Sequence, residues 1–284
     1  MAEVSLEGAA TRERRTPGAA PARPPGRALP AVWMSRWLLL QWVKRDFVVR
    51  YRQSALGLAW SVLQPALLLA VYGVVFVKVL HVRPQQGSYL VFAYCGLAPW
   101  AFFSNAVSWS MPSLANAAPV IRQVYFPRAV IPLAACGVVV VDLGLSTAIL
   151  LILQVVTSGH LYLATLALIP LYAALVLGTA ALAVVASLFG AFVRDIRFAL
   201  PLLLQLLFIA TPIMYPRTEV HGRWSWVFTY NPMAQLVGAL RAAVAGGRWP
   251  GAGVTAAAVA ACLVALVAAV GYSATVEDRL PDLL

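Results

Sequence analysis

Charge is what this chain has least of. Only 11% of its 284 residues are Asp, Glu, Lys or Arg, against 62% apolar residues and a mean hydropathy of +0.82. Soluble domains carry about 25% charged residues, so too few charges are present to cover a water-facing surface. Acidic residues are scarcer still, 10 against 21 basic ones, for a net charge of +11. A basic excess marks a nucleic-acid binder when charge is abundant; here it is not, and no nucleic-acid partner is expected. Cys95, Cys136 and Cys262 lie far apart inside apolar runs, where a free thiol packs as a small hydrophobe. His81, His160 and His221 lack a second ligand at the spacings that metal sites use, so no metal site is expected. No G-x-x-x-x-G-K-[ST] phosphate loop occurs, which excludes ATP binding by that route. Neither G-x-S-x-G nor H-E-x-x-H is found, and carboxylates are too sparse for transferase chemistry in a membrane.

What remains is apolar length. Stretches free of formal charge run from Gln53 to Val77, Pro84 to Ile121, Ala129 to Val141, Leu143 to Val193, Phe198 to Pro216 and Trp249 to Val276. About 20 apolar residues cross a hydrocarbon layer of roughly 30 Å. The longest stretch divides at the turn signal Ser158-Gly159-His160, and its first part joins the short stretch across Asp142. The expectation is an all-α membrane protein with six transmembrane helices, near 55–78, 88–112, 130–156, 161–190, 199–216 and 252–274. The runs do not alternate, which excludes a transmembrane barrel.

The scarce charges also orient the chain. With six spans, one side collects 15 of the 21 basic residues and the other six: Lys78, Arg83, Arg217, Arg223, Arg241 and Arg248. The positive-inside rule then places both termini in the cytoplasm. Residues 1–30, rich in Ala, Pro, Gly and Arg, read as a disordered cytoplasmic tail. No secretory leader is expected, since no apolar core with a small-residue cleavage site follows Met1.

Four motifs add detail. Arg50-Tyr51-Arg52-Gln53-Ser54 leads through Leu56-Gly57 and Trp60 to Gln64-Pro65 and into the first span. Val124-Tyr125-Phe126-Pro127-Arg128 lies between spans two and three. Thr211-Pro212-Ile213-Met214-Tyr215-Pro216 closes span five, and Tyr230-Asn231-Pro232-Met233 opens an outer segment. In this order, and over residues 36–280, they resemble the type-2 ABC exporter permeases that move O-antigen, teichoic acid and related envelope polymers. Ala129 departs from the pattern, which has an acidic residue after Phe-Pro-Arg, and so leaves open any salt bridge at that loop.

The resemblance implies a transport subunit without catalysis or a cofactor of its own. Two copies would pair, and two copies of a separate ABC ATPase, carrying ATP and Mg, would dock beneath them. The cargo would be a polysaccharide on a polyprenyl diphosphate lipid, crossing the bacterial cytoplasmic membrane. Implied docking residues are Arg50, Tyr51, Arg52, Gln53, Val124, Tyr125, Phe126, Pro127 and Arg128, with Arg194 and Asp195 in the next inner loop. The organisation expected is a tail at 1–30, an amphipathic interfacial helix at 31–54, the permease domain at 55–276 and a cytoplasmic end at 277–284. Between Trp224 and Trp249 the apolar stretches are too broken for a crossing pair, and short re-entrant outer helices fit them better.

Several residues keep two readings open. Trp33, Leu40, Val43 and Phe47 fall within an arc of about 80° on a helix, imperfectly amphipathic. Lys44, Arg45, Arg50 and Arg52 would then meet lipid phosphates, or Arg50 or Arg52 would receive the substrate's diphosphate as a guanidinium fork. Span two carries aromatics suited to sugar faces. Phe92, Trp100 and Phe103 share one face and Tyr94, Phe102 and Trp109 another, so only one set is expected to line a pathway. Asp142 lies alone within a span, at a cost of about 2.5–3.5 kcal/mol at its centre; it is read as paired, protonated or facing water, with a hydrogen-bonded structural role or a part in gating or substrate contact. Trp100, Phe102, Phe103, Trp109 and Asp142 are the candidate substrate path. Competing readings are a type-2 permease for small drugs or lipids, and a membrane transferase acting on polyprenyl-linked sugars.

Overall fold

Long apolar runs without alternation can satisfy their backbone polar groups away from water only within each segment. The computed structural model accordingly holds only helices among the residues it describes, which are 28–52, 57, 59–79, 87–193, 195–215 and 225–277. Gln53, Arg194, His81, His221, Trp224 and nearly all of the expected tail and C-terminal end lie outside the described residues.

The elements are α1 (Ala28–Met34), α2 (Arg36–Arg52) and α3 (Ala59–Tyr72), which widens into π-helical turns at Gly73–Val79. Next come α4 (Tyr89–Ser110), the short α5 (Ser113–Asn116) and α6 (Ala118–Ile121), and α7 (Val130–Ser158). A tight turn at Leu163–Ala167 leads into α8 (Leu168–Phe192). The chain ends with α9 (Ile196–Ile209), α10 (Ser225–Tyr230), α11 (Pro232–Val244) and α12 (Ala252–Val276).

Among the described residues, four helices are long and apolar enough to cross a membrane: Tyr89–Ser110, Val130–Ser158, Leu163–Phe192 and Ala252–Val276. They agree with four of the expected spans to within two residues at each end. The other two positions hold shorter apolar helices, Leu63–Val77 and Ile196–Ile209. With 14 residues, α9 extends about 21 Å. It stops because Pro212 cannot donate and the following turn folds back on it: Thr211 Oγ1 bonds the Leu207 carbonyl and Tyr215 OH the Ile209 carbonyl, both at 2.8 Å. The expected outer turn at 158–160 is present. Gly159 caps α7 at φ +74°, a left-handed conformation that glycine adopts without penalty.

The centre of the fold is α4, buried without interruption from Val91 to Trp100. Against it pack α7, α8 and, over its N-terminal half, α11; α12 lies along α8 with its far side bare. At Gly178 a Cβ would approach the Cys262 sulfur to 3.1 Å, which is how closely α8 and α12 meet.

The segment expected as one interfacial helix is two helices broken at Ser35, and α2 climbs α7. Trp42 is buried among Phe126, Val130, Ile131 and Ala134, Val43 meets Gly137, and Tyr51 reaches Asp142. From Val130 to Asp142 is about 18 Å of helix. The expected apolar arc does not act as one face: Trp33 and Leu40 are exposed, because the packing runs through Trp42 and Val43.

The loop between α6 and α7 also differs from expectation. Phe126 is buried against Trp42, with ring centroids 6.1 Å apart, and Arg128 is only 4% exposed. The Arg128 amide donates to Glu277 Oε1 (2.8 Å) and its Nη1 to the Ile121 carbonyl (3.1 Å). Glu277, just past α12, brings a carboxylate to the loop whose residue 129 is alanine. Burial pulls the Arg128 guanidinium below its ordinary pKa, and Glu277 opposes that.

Candidate functional site

A cavity of about 340 Å³ opens where the end of α2 meets α3, α4, α7 and Phe208 of α9. Its polar lining is Arg50, Tyr51, Gln64, Ser104, Asn105, Asp142 and Ser146; its aromatic lining is Trp60, Tyr72, Trp100, Phe102 and Phe208. Each follows from local structure. Ala98, Ala101, Ser104 and Asn105 recur at helical spacing on α4, so that face is narrow and polar and leaves space beside it. Ser146 stands one turn beyond Asp142 on α7, and Gln64 precedes the Pro65 that lies inside α3.

The lone charge of α7 is paired. Arg50 Nη2 lies 3.0 Å from Asp142 Oδ2, and the Tyr51 hydroxyl donates to Asp142 Oδ1 at 2.5 Å. The Arg50 contact is one of charge, since Oδ2 makes no hydrogen bond there. Arg50 Nη1 is buried without a hydrogen-bond partner among the described residues. Its guanidinium also lies 5.0 Å from the centre of the Trp109 ring. Burial first, then the bond to Asp142, pushes the Tyr51 hydroxyl up to about 12, so it keeps its proton and donates at neutral pH.

The two candidate sets, docking and path, therefore meet. Arg50 and Tyr51 line the same cavity as Trp100, Phe102 and Asp142. Phe103 packs on Trp100 at 5.5 Å, while Trp109 is half exposed beyond the cavity edge. The cavity does not keep the two aromatic faces of α4 apart. Trp100 and Phe102, about 200° apart round the helix, flank the small-residue stripe, and both reach the cavity. Elsewhere, Arg52, Val124 and Asp195 are exposed, Tyr125 and Pro127 half-buried, and Phe126 and Arg128 buried. The last two cannot offer their side chains to a partner in this arrangement. Sequence reading placed Gln64 in a motif without a site role, and missed Ser104, Asn105, Ser146 and Phe208. Gln64, Ser104, Asn105 and Ser146 carried a signal, as polar residues inside otherwise apolar helices.

Such a lining has a plain chemistry. A guanidinium with a free edge attracts phosphate oxygens, hydroxyl and amide groups exchange hydrogen bonds with sugar hydroxyls, and aromatic rings accept sugar C–H faces.

The opposite end of the bundle, where α9 and α11 meet the start of α4, is closed by a stapled cap. Asn231 Oδ1 accepts from the Met233 and Ala234 amides at 2.9 and 3.3 Å, capping α11, while its Nδ2 donates to Thr211 Oγ1 at 2.9 Å. Arg241 donates to the carbonyls of Phe92 (3.1 Å), Pro212 (2.7 Å) and Ile213. Burial pulls its pKa down to about 10, so it stays charged at neutral pH.

Comparison with known proteins places this geometry. The model of the ABC-2 type transporter family matches residues 38–244, from within α2 to the last residue of α11, and so contains the whole cavity. An O-antigen export system permease protein, RfbA, of Klebsiella pneumoniae is 32% identical over 201 residues, 70% of this chain and 77% of its own. The RfbA protein of Myxococcus xanthus is 29% identical over 209 residues, 72% and 79% of the two chains. The polysialic acid transport protein KpsM of Escherichia coli is 25% identical over 207 residues, 70% and 78%.

Proposed function

This chain belongs to the ABC-2 type transporter family, and on that premise we propose that it is the membrane subunit of an ATP-driven exporter. Its cargo is a polysaccharide built on a polyprenyl diphosphate lipid, carried out across the bacterial cytoplasmic membrane. The observation that carries this reading is the cavity, which sets a basic head site at Arg50 beside the rings of Trp100, Phe102 and Phe208. The names of the relatives, O-antigen export permease and polysialic acid transport protein, support the same cargo class.

In this reading two copies pair, and the two shorter helices α3 and α9 complete six crossings with α4, α7, α8 and α12. Both termini face the cytoplasm, and α10 and α11 dip into the outer leaflet. ATP and Mg belong to two copies of a separate ATPase. The exposed residues Arg52, Val124 and Asp195 are the surface offered to it. The diphosphate of the carrier lipid meets Arg50, and its first sugars lie against the aromatic wall.

Depletion of the chain in its host tests this. A lipid-linked polymer should accumulate on the cytoplasmic side and clear when the wild-type chain is restored. Unchanged polymer export, with new sensitivity to small amphipathic compounds, would point to a small-molecule permease instead.

A further inference from the structure

The pairing of Arg50 with Asp142 is unusually poor for a buried ion pair. The two side chains are 17% and 10% exposed, yet only one nitrogen faces one oxygen, and without hydrogen-bond geometry. Arginine prefers to meet a carboxylate through two parallel bonds. Here Oδ1 is already engaged by Tyr51, and Nη1 is buried with no hydrogen-bond partner among the described residues. A desolvated pair in such geometry recovers little of what burial costs. It does, however, tie two elements together: the end of α2 and the middle of α7. Before it, α2 is held by Trp42 and Val43; after it comes Gly57, whose φ of +47° is a left-handed bend before α3.

We propose that Asp142 is a stand-in anion, holding Arg50 until a phosphate group of the cargo lipid enters the cavity, takes the guanidinium and releases the end of α2 from α7. The proposal rests on the function proposed above, with a diphosphate at Arg50. A diphosphate brings more negative charge and more acceptor oxygens than one carboxylate, and it can use the free Nη1 as well. Tyr51, the next residue on α2, leaves Asp142 together with Arg50, and the Asp142 carboxylate is left facing the cavity that it lines. No covalent bond changes; one ion pair replaces another. Arrival of cargo is thereby converted into movement of the basic leading helix. Asp142 is thus a positioning residue that sets how readily the site accepts an anion.

The test uses the permease assembled with its ATPase in lipid nanodiscs. Farnesyl diphosphate, inorganic pyrophosphate and nanodiscs enriched in phosphatidylglycerol serve as three separate probes. Spin labels at the exposed Val49 on α2 and Val141 on α7, in an otherwise wild-type chain, report the distance between the helices. Farnesyl diphosphate should lengthen it, and Asp142→Asn should bind that probe about tenfold more tightly and show the long distance without it. Response to pyrophosphate as well identifies the diphosphate alone as sufficient; response to phosphatidylglycerol alone assigns the site to bulk lipid and overturns the proposal. Binding of farnesyl diphosphate with an unchanged distance, or equal affinity in Asp142→Asn and wild type, also overturns it while leaving the diphosphate site intact. Absence of any diphosphate binding to the wild type removes the head-site reading itself. If Asp142→Asn does not assemble, the wild-type distance measurement decides the matter alone.

Discussion

Three side chains at the end of α2 and the middle of α7 carry most of the chemistry. Asp142→Ala leaves Arg50 buried without its counter-charge and should cost about 3–5 kcal/mol of stability, read as a lowered midpoint of unfolding in detergent. Replacing both at once, Arg50→Met with Asp142→Leu, should recover most of that stability while export stays lost. That contrast separates a structural pair from a working one. Tyr51 gives a pH signature. Its hydroxyl titrates near 12 when folded against an ordinary 10, so the folded state holds that proton more tightly. Its contribution is complete below pH 10 and is lost as the pH rises through 12. The stability of Tyr51→Phe should therefore fall less over that interval than the wild type's. That Asp142 needed a partner was legible from its isolation in an apolar span. That the partner was Arg50, 92 positions earlier, was not, because no local spacing records which helix leans on which.

At the scale of helices, close approach limits what the sequence can change. A Cβ on Gly190 of α8 would lie 2.5 Å from the Met111 carbonyl oxygen at the end of α4, so Gly190→Ala should cost about 1–3 kcal/mol. Gly144, with open space round it, is the control, since Gly144→Ala gains helix propensity. In the inner loop, a photo-crosslinker at the exposed Val124 should capture the ATPase, and one at the buried Phe126 should not. Glu277→Gln should leave Arg128 less well compensated and lower stability by about 1–2 kcal/mol. The four long helices were legible because charges punctuate the chain so rarely. The short reach of α9 was not, since it depends on a turn held by Thr211, Asn231 and Arg241 from a distant segment. Nor was the inward turn of Arg128, whose Glu277 partner lies 149 residues away. The paired role of Trp100 and Phe102 escaped helical geometry alone, which sees faces but not the space beside them.

For the molecule as a whole, the bare apolar sides of α9 and α12 are as informative as the core. Phe198, Leu202, Leu206, Val254 and Val264 are each more than half exposed, as expected for surfaces that meet lipid or a second copy. The basic residues, whose distribution gave the expected orientation, acquire a specific use in Arg50 at the cavity and in Arg128 and Arg241 as internal staples. In the proposed function, ATP hydrolysis by a partner moves a lipid-linked polysaccharide past the cavity of this chain. The direct measurement is transport by the purified permease–ATPase complex in proteoliposomes, with the lipid-linked polymer supplied on the ATP side. A lectin on the far side should bind polymer only when ATP is present, and not when Arg50 is replaced by Ala. ATP hydrolysis at the normal rate with no polymer reaching the lectin would contradict it.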